Sequence, residues 1–165
     1  MSMPLANPLS VVVDSRCSAW RNLVLNAEEL CCSAATAAFE ASGAVSDGTE
    51  VSVVLADDEF VQSLNKEWRQ QDKPTNVLAF PCKELGHSSD TMRLLGDIVI
   101  ASGVVQREAL GENKTVGHHM THMVVHGTLH LLGYDHISDD EAAEMEGFEI
   151  VALAALGIDD PYLSN

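Results

Sequence analysis

His126-Gly127-Thr128-Leu129-His130-Leu131-Leu132-Gly133-Tyr134-Asp135-His136 is the stretch on which the reading of this chain turns. His126 and His130 are four apart, so a helix stacks them on one face with Cβ atoms about 6 Å apart. Such a pair can grip one cation through two ring nitrogens. Gly133 lets the chain leave the helix through a left-handed turn that a β-branched residue would resist. Beyond that turn, His136 can swing back as a third ligand. Three neutral nitrogens leave one position open on a tetrahedral cation, the pattern of a catalytic rather than a structural zinc site. Imidazole-rich ligation also suits nickel or another transition metal, so zinc is expected without being fixed.

The three histidines and Gly133 match the spacing of the H-E-x-x-H-x-x-G-x-x-H signature of metzincin proteases, which makes this a zincin-like metal-binding helix. The chain departs from that signature where the proteases carry Glu, because Gly127 stands there. In the proteases the Glu takes a proton from the attacking water. Without it, that route to peptide hydrolysis loses its base.

Around this block, His122 and His118 continue the same helical stripe one and two turns upstream. His122 is the candidate for a supporting role beside the ligands, whereas His118, His119 and His87 read as solvated surface residues. Asp135 either accepts a hydrogen bond from an imidazole or caps the turn. Met145 reads as core filling, at helical spacing with Phe148 and Ala152.

The pattern of the rest predicts the order β-α-β-α-β-β-α-α-α. Strands are expected at 9–13 (LSVVV), 51–55 (VSVVL), 77–80 (VLAF) and 96–100 (GDIVI). From Trp20 to Phe39 the apolar residues recur at helical spacing, which predicts one helix ended by Gly43. Asp57 or Asp58 can cap a helix carrying Phe60, Val61, Leu64 and Trp68. Residues 86–90 read as a hairpin loop or insertion. Helices then follow over about 102–110, 115–132 and 139–156, with Asp139 and Asp140 at the start of the last. The expected fold is α+β, a mixed four-stranded sheet with helices packed mainly on one side. It forms a single domain over 1–165.

A chain of 165 residues can bury a core without disulfides or a structural metal. Its net charge of −16 argues against a protein that coats nucleic acid through an extended basic surface. The charge is uneven, however. Residues 1–60 carry two basic and nine acidic side chains, 61–120 seven of each, and 121–165 no basic and nine acidic. An anion is therefore expected near the middle segment. Cys17, Cys31, Cys32 and Cys82 lack zinc-knuckle or redox spacing and read as buried or idle thiols. The start MSMPLANPLSVVV has neither a basic n-region nor an Arg-rich pattern, so no signal or transit peptide is expected. No apolar run approaches the roughly 20 residues that span a bilayer. The expectation is a cytoplasmic protein with no membrane partner.

The block from His126 to His136 resembles the YbeY-type endoribonucleases, bacterial ribosomal-RNA maturation factors. Leu64-Asn65…Arg69, Pro74-Thr75-Asn76-Val77-Leu78-Ala79-Phe80-Pro81 and Gly96-Asp97-Ile98-Val99-Ile100 strengthen the resemblance. The matching blocks keep the family's order over roughly 55–157. The resemblance implies a metal-dependent endoribonuclease that cuts single-stranded RNA in 3′-end maturation of small-subunit ribosomal RNA and in ribosome quality control. Its implied partners are a ribosomal RNA precursor and the small subunit or its assembly proteins, with no DNA. It implies His126, His130 and His136 as metal ligands, His126 also acting in catalysis, and Arg69 as the catalytic arginine. Lys66 and Lys73 flank Arg69 and are candidates to guide the RNA backbone. The chain has Asn76 and Ala79 where the family usually shows Asp and Ser, which keeps an acceptor at residue 76 and loses a charge. The alternatives are a metalloprotease-like hydrolase, from the ligand spacing, and a non-catalytic assembly factor whose metal stabilises a loop.

Overall fold

A computed structural model of the protein describes residues 9–45, 48–82 and 93–163. The elements run β1 (Ser10–Ser15), α1 (Ala19–Leu23), α2 (Ala27–Ser42), β2 (Thr49–Ala56), α3 (Asp58–Arg69), β3 (Val77–Pro81), β4 (Arg93–Ala101), α4 (Ser102–Gly111), α5 (Val116–Leu131) and α6 (Asp139–Ala155). The sheet has the order β1-β2-β4-β3. β1 and β4 each pair parallel with β2, and β3 pairs antiparallel with β4 as an outer strand. This is the expected mixed four-stranded α+β arrangement.

Alternation along the strands sorts side chains to two faces. Val51, Val53, Leu55, Ile98 and Ile100 point into the main core with Phe39, Met120, Val124, Leu129, Met145 and Leu153 from α2, α5 and α6. Val54, Ala56, Leu78, Val99 and Ala101 point to the other face, where α3 covers them through Val61, Phe60 and Leu64. Most of the helical mass thus lies on one side, and α3, with Val104 at the start of α4, covers the smaller second cluster.

One expectation is corrected. The single helix expected from Trp20 to Phe39 is two helices, α1 and α2, with Val24 extended at φ −140° and ψ 114° between them. The buried Trp20 donates its indole N–H to the Ala56 carbonyl at 2.9 Å, which pins α1 to the end of β2. β-Branched Val24 and Asn26 favour helix weakly, so that anchor sets where the chain bends. The caps fell mostly where the sequence placed them. Asp57 accepts from the Phe60 amide at 2.8 Å and Gly43 closes α2 at φ +78°. α6 begins at Asp139, but its cap is Ser138, which shares a capping box with Glu141. The loop expected at 86–90 and His87 lie outside the described residues.

Candidate metal centre and groove

α5 delivers two of the three histidines for a local reason. Thr115 caps its first turn by accepting from the His118 amide at 3.0 Å, which fixes where the helix starts and so which face each histidine occupies. Buried Met120, Val124, Leu129 and Leu131 turn the opposite side into the core. His126 and His130 remain half-buried. Gly133 follows at φ +103°, a conformation that L side chains rarely adopt. The Tyr134 amide then bonds to the Leu129 carbonyl at 3.0 Å, and its ring packs against Phe148 with centroids 4.9 Å apart. That turn carries the exposed His136 back over the helix end.

The three rings converge. Centroids are separated by 4.6 Å for His126–His130, 5.6 Å for His126–His136 and 5.2 Å for His130–His136. One ring nitrogen from each lies within 4.8 Å of the others, and the Nε2 atoms of His126 and His130 are 3.0 Å apart. A tetrahedral zinc ion with Zn–N bonds near 2.0–2.1 Å needs ligand nitrogens about 3.3 Å apart, so small ring movements fit the ion. The His130 imidazole is held below its ordinary pKa by burial, and next by its neighbours His126 and His136. Its lone pair is thereby kept available to a cation.

Glu149, which sequence reasoning missed, supports this cluster from α6. The residue is 1% exposed. His126 donates from Nδ1 to Glu149 Oε2 at 2.7 Å, and His122 donates from Nε2 to Oε1 at 2.6 Å. Tyr162, from the chain after α6, donates its hydroxyl to the same Oε1. Burial alone would raise the Glu149 carboxyl, but the hydrogen bonds from His122, His126 and Tyr162 outweigh it and hold it at about 2. The Tyr162 hydroxyl is pushed well above its usual range by burial and then by Glu149. A signal for Glu149 was present. It stands four residues after buried Met145, on the apolar stripe of α6, where an isolated acid is out of place.

Gly127 also has a physical reason. A Cβ there would meet Ile98 Cγ2 at 2.8 Å, so α5 packs too closely on β4 for any larger residue. The position that holds the metzincin Glu is thus a helix–sheet contact here.

The histidines open onto a groove of about 1390 Å³ that also takes in Arg16, Phe60, Trp68, Arg69 and Phe80. Arg69 ends α3, donates from Nη2 to the Ala79 carbonyl at 2.9 Å, and lies 5.2 Å over the Phe80 ring. Arg16 was set apart from the basic middle segment by sequence, yet the parallel β1–β2 pairing returns it to the same groove. It stacks 5.3 Å over Phe60 and also pairs with Asp14 at 2.8 Å.

The other candidates divide. His122 sits beside the ligands through Glu149, as described. Asp135 caps the turn, accepting from the His136 amide at 2.8 Å. Lys66 is exposed, with Asp72 4.0 Å away, and Lys73 is exposed; neither lines the groove. His118 is exposed as expected. His119 is not a surface residue. It is 3% exposed and bonds through Nε2 to Glu108 at 2.8 Å, because its side of α5 is covered by α4. Asn76 donates to that same Glu108 at 3.0 Å and accepts from the Val77 amide at 2.7 Å, which makes it a tie at the start of β3. Met145 lies in the main core as expected. Cys31 is buried, and burial pushes its thiol up to about 12.

The fold and the converging imidazoles define a class: an α+β protein with a candidate metal centre where one helix ends. The chain belongs to the endoribonuclease YbeY family, whose model matches residues 20–157. It is 52% identical over 138 residues to an endoribonuclease YbeY of Azorhizobium caulinodans, covering 83% of this chain and 86% of that one. The Paramagnetospirillum magneticum endoribonuclease YbeY is 46% identical over 157 residues, covering 93% and 96%. A Thermotoga maritima protein solved in solution shares the fold at a TM-score of 0.52 and 23% identity, over 95% of this chain and 97% of that one. No helix among the described residues is long and apolar enough to cross a membrane.

Proposed function

We propose that this protein is a metal-dependent endoribonuclease that cuts single-stranded RNA. Its biological setting would be 3′-end maturation of small-subunit ribosomal RNA and ribosome quality control in the cytoplasm. It would act as a single domain over 1–165, on a ribosomal RNA precursor presented by the small subunit or its assembly proteins. The observation that carries the reading is that three convergent imidazoles and Arg69 line one groove. Membership in a family whose relatives bear the name endoribonuclease supports it from outside the geometry.

His126, His130 and His136 would hold one divalent cation, Zn2+ being the best match to three nitrogens, with Ni2+ a second choice. A cation held there supplies Lewis-acid polarisation of the scissile phosphodiester. The chain's own residues do the rest. Arg69 offers an always-charged planar fork to phosphate oxygens, and its stack on Phe80 holds that fork in place. Trp68 is 61% exposed and, with the guanidinium planes of Arg16 and Arg69 that cover Phe60 and Phe80, gives flat faces on which unpaired bases stack. A duplex keeps its base faces covered and cannot use them. The acidic remainder of the chain makes binding of naked RNA weak and salt-sensitive, so a ribosomal partner would place the substrate.

The test offers metal-loaded and chelated protein a single-stranded RNA, its duplex, and unfolded casein. Cleavage of the single strand alone, lost in the chelated sample and in Arg69→Ala, is expected. Casein hydrolysis would favour the protease alternative. Absence of all turnover with ribosome binding intact would leave the assembly-factor alternative.

A further inference from the structure

Glu149 is a carboxylate placed among apolar neighbours. It shares its helical stripe with Met145, Ala152 and Leu153, each at most 1% exposed. A buried charge of this kind is kept only where strong partners answer it. Three do: two come from α5, and the third from the tail that follows α6.

The pattern of those bonds has a direction. Glu149 takes the Nδ1 edge of the His126 ring at 2.7 Å, so the opposite edge, with Nε2, is the one turned away from the carboxylate. That Nε2 lies 3.0 Å from His130 Nε2, on the side where the ligand atoms gather. Oε1 does not touch His126. It is occupied by His122, one turn earlier on α5, and by Tyr162, which fix the carboxylate so that Oε2 has one place to go. The rings of His122 and Tyr162 meet edge to face, with centroids 5.7 Å apart, which holds the tail in register with α5.

We propose that Glu149 is a positioning residue of the metal centre, orienting His126 so that Nε2 faces the cation, and that Tyr162 latches this carboxylate from the C-terminal tail. The inference rests on reading the three histidines as a metal centre. It goes beyond that reading by assigning a residue of α6 and a tail residue to the site. Hydrogen-bond partners of this kind typically change metal affinity by about 10–100-fold when removed.

The experiment measures the Zn2+ affinity of the full chain by competition with a chromophoric chelator, for the unsubstituted protein, Glu149→Gln and Tyr162→Phe, with His118→Ala as control. Each variant is melted first, so that affinity is read on folded protein. Alongside, 15N NMR of the zinc-free proteins reads the tautomer of His126. Glu149→Gln is expected to bind Zn2+ about 10–100-fold more weakly. Its His126 should pass from the Nδ1–H form to a mixture. Tyr162→Phe moves both readouts the same way by less, and it keeps the test open should Glu149→Gln fail to fold. A Glu149 that merely tied α6 to α5 would lower Tm and leave affinity and tautomer unchanged, which overturns the inference. Absence of Zn2+ binding by the unsubstituted protein overturns the metal-centre reading instead, and the tautomer then still decides whether Glu149 orients His126.

Discussion

The two ends of α5 carry the same pair of groups, an imidazole hydrogen-bonded to a carboxylate, in opposite surroundings. Near its start, His119 Nε2 meets Glu108 at 2.8 Å, while its Nδ1 is buried with no partner among the described residues. Near its end, His126 Nδ1 meets Glu149 at 2.7 Å, while its Nε2 looks out at His130 and a groove. The first pair holds α4 against α5 and, through Asn76, the start of β3. The second holds a ring whose free nitrogen has somewhere to act. A histidine–carboxylate pair therefore does not by itself mark a site; what the other nitrogen faces decides.

The largest expected effect separates the two ends directly. His126→Ala, His130→Ala and His136→Ala should each abolish stable metal content, while His119→Ala and His118→Ala should retain it, measured by elemental analysis after dialysis. Equal retention in all five would dissolve the distinction. Next comes Arg69→Ala, which should lower RNA cleavage by roughly 10²–10³-fold with metal content unchanged, on the scale of losing one charge-stabilising donor. Arg69→Lys should recover little of it, because a point charge does not replace the planar fork.

Smaller effects fall on stability. Gly127→Glu restores the protease signature in sequence, yet it should cost about 1–3 kcal/mol or more by forcing β4 away at Ile98. A urea melt reads that loss, and casein should stay intact. Casein cleavage by this variant would mean that the close helix–sheet contact does not exclude the base. His119→Ala should cost roughly 1–3 kcal/mol by removing a buried ring and its hydrogen bond to Glu108. Unchanged stability would place His119 back among surface residues.

The ligand set was legible because its geometry is local. Spacing of four on a helix and a glycine turn fix where His126, His130 and His136 go, whatever else the chain does. The four strands were legible from their short apolar runs, β-branched in three of the four. Glu149 showed only as an acid at helical spacing from Met145, and its role, like that of Tyr162, was not legible, because their partners lie 13 to 40 residues away in sequence. Only the packing of α6 on α5 brings them together. Arg16 escaped for the same reason, since its place depends on β1 pairing with β2. His119 looked exposed because a helical stripe of histidines gives no sign of which side a later-packing helix covers. The break at Val24 follows Trp20, whose bond reaches a carbonyl 36 residues away in sequence.

The regions also differ in charge logic. The net charge of −16 spoke against RNA only while it was read as a total. Folding collects Arg16 and Arg69 on one groove with three imidazoles. A cation held there would add further positive charge at the same place.

The most direct measurement titrates Zn2+ into chelated protein while following cleavage of a single-stranded RNA, with His130→Ala in parallel. Cleavage should rise in step with bound metal and saturate near one equivalent per chain, and His130→Ala should stay inactive across the titration. Full cleavage by the chelated protein, or by His130→Ala, would contradict the account.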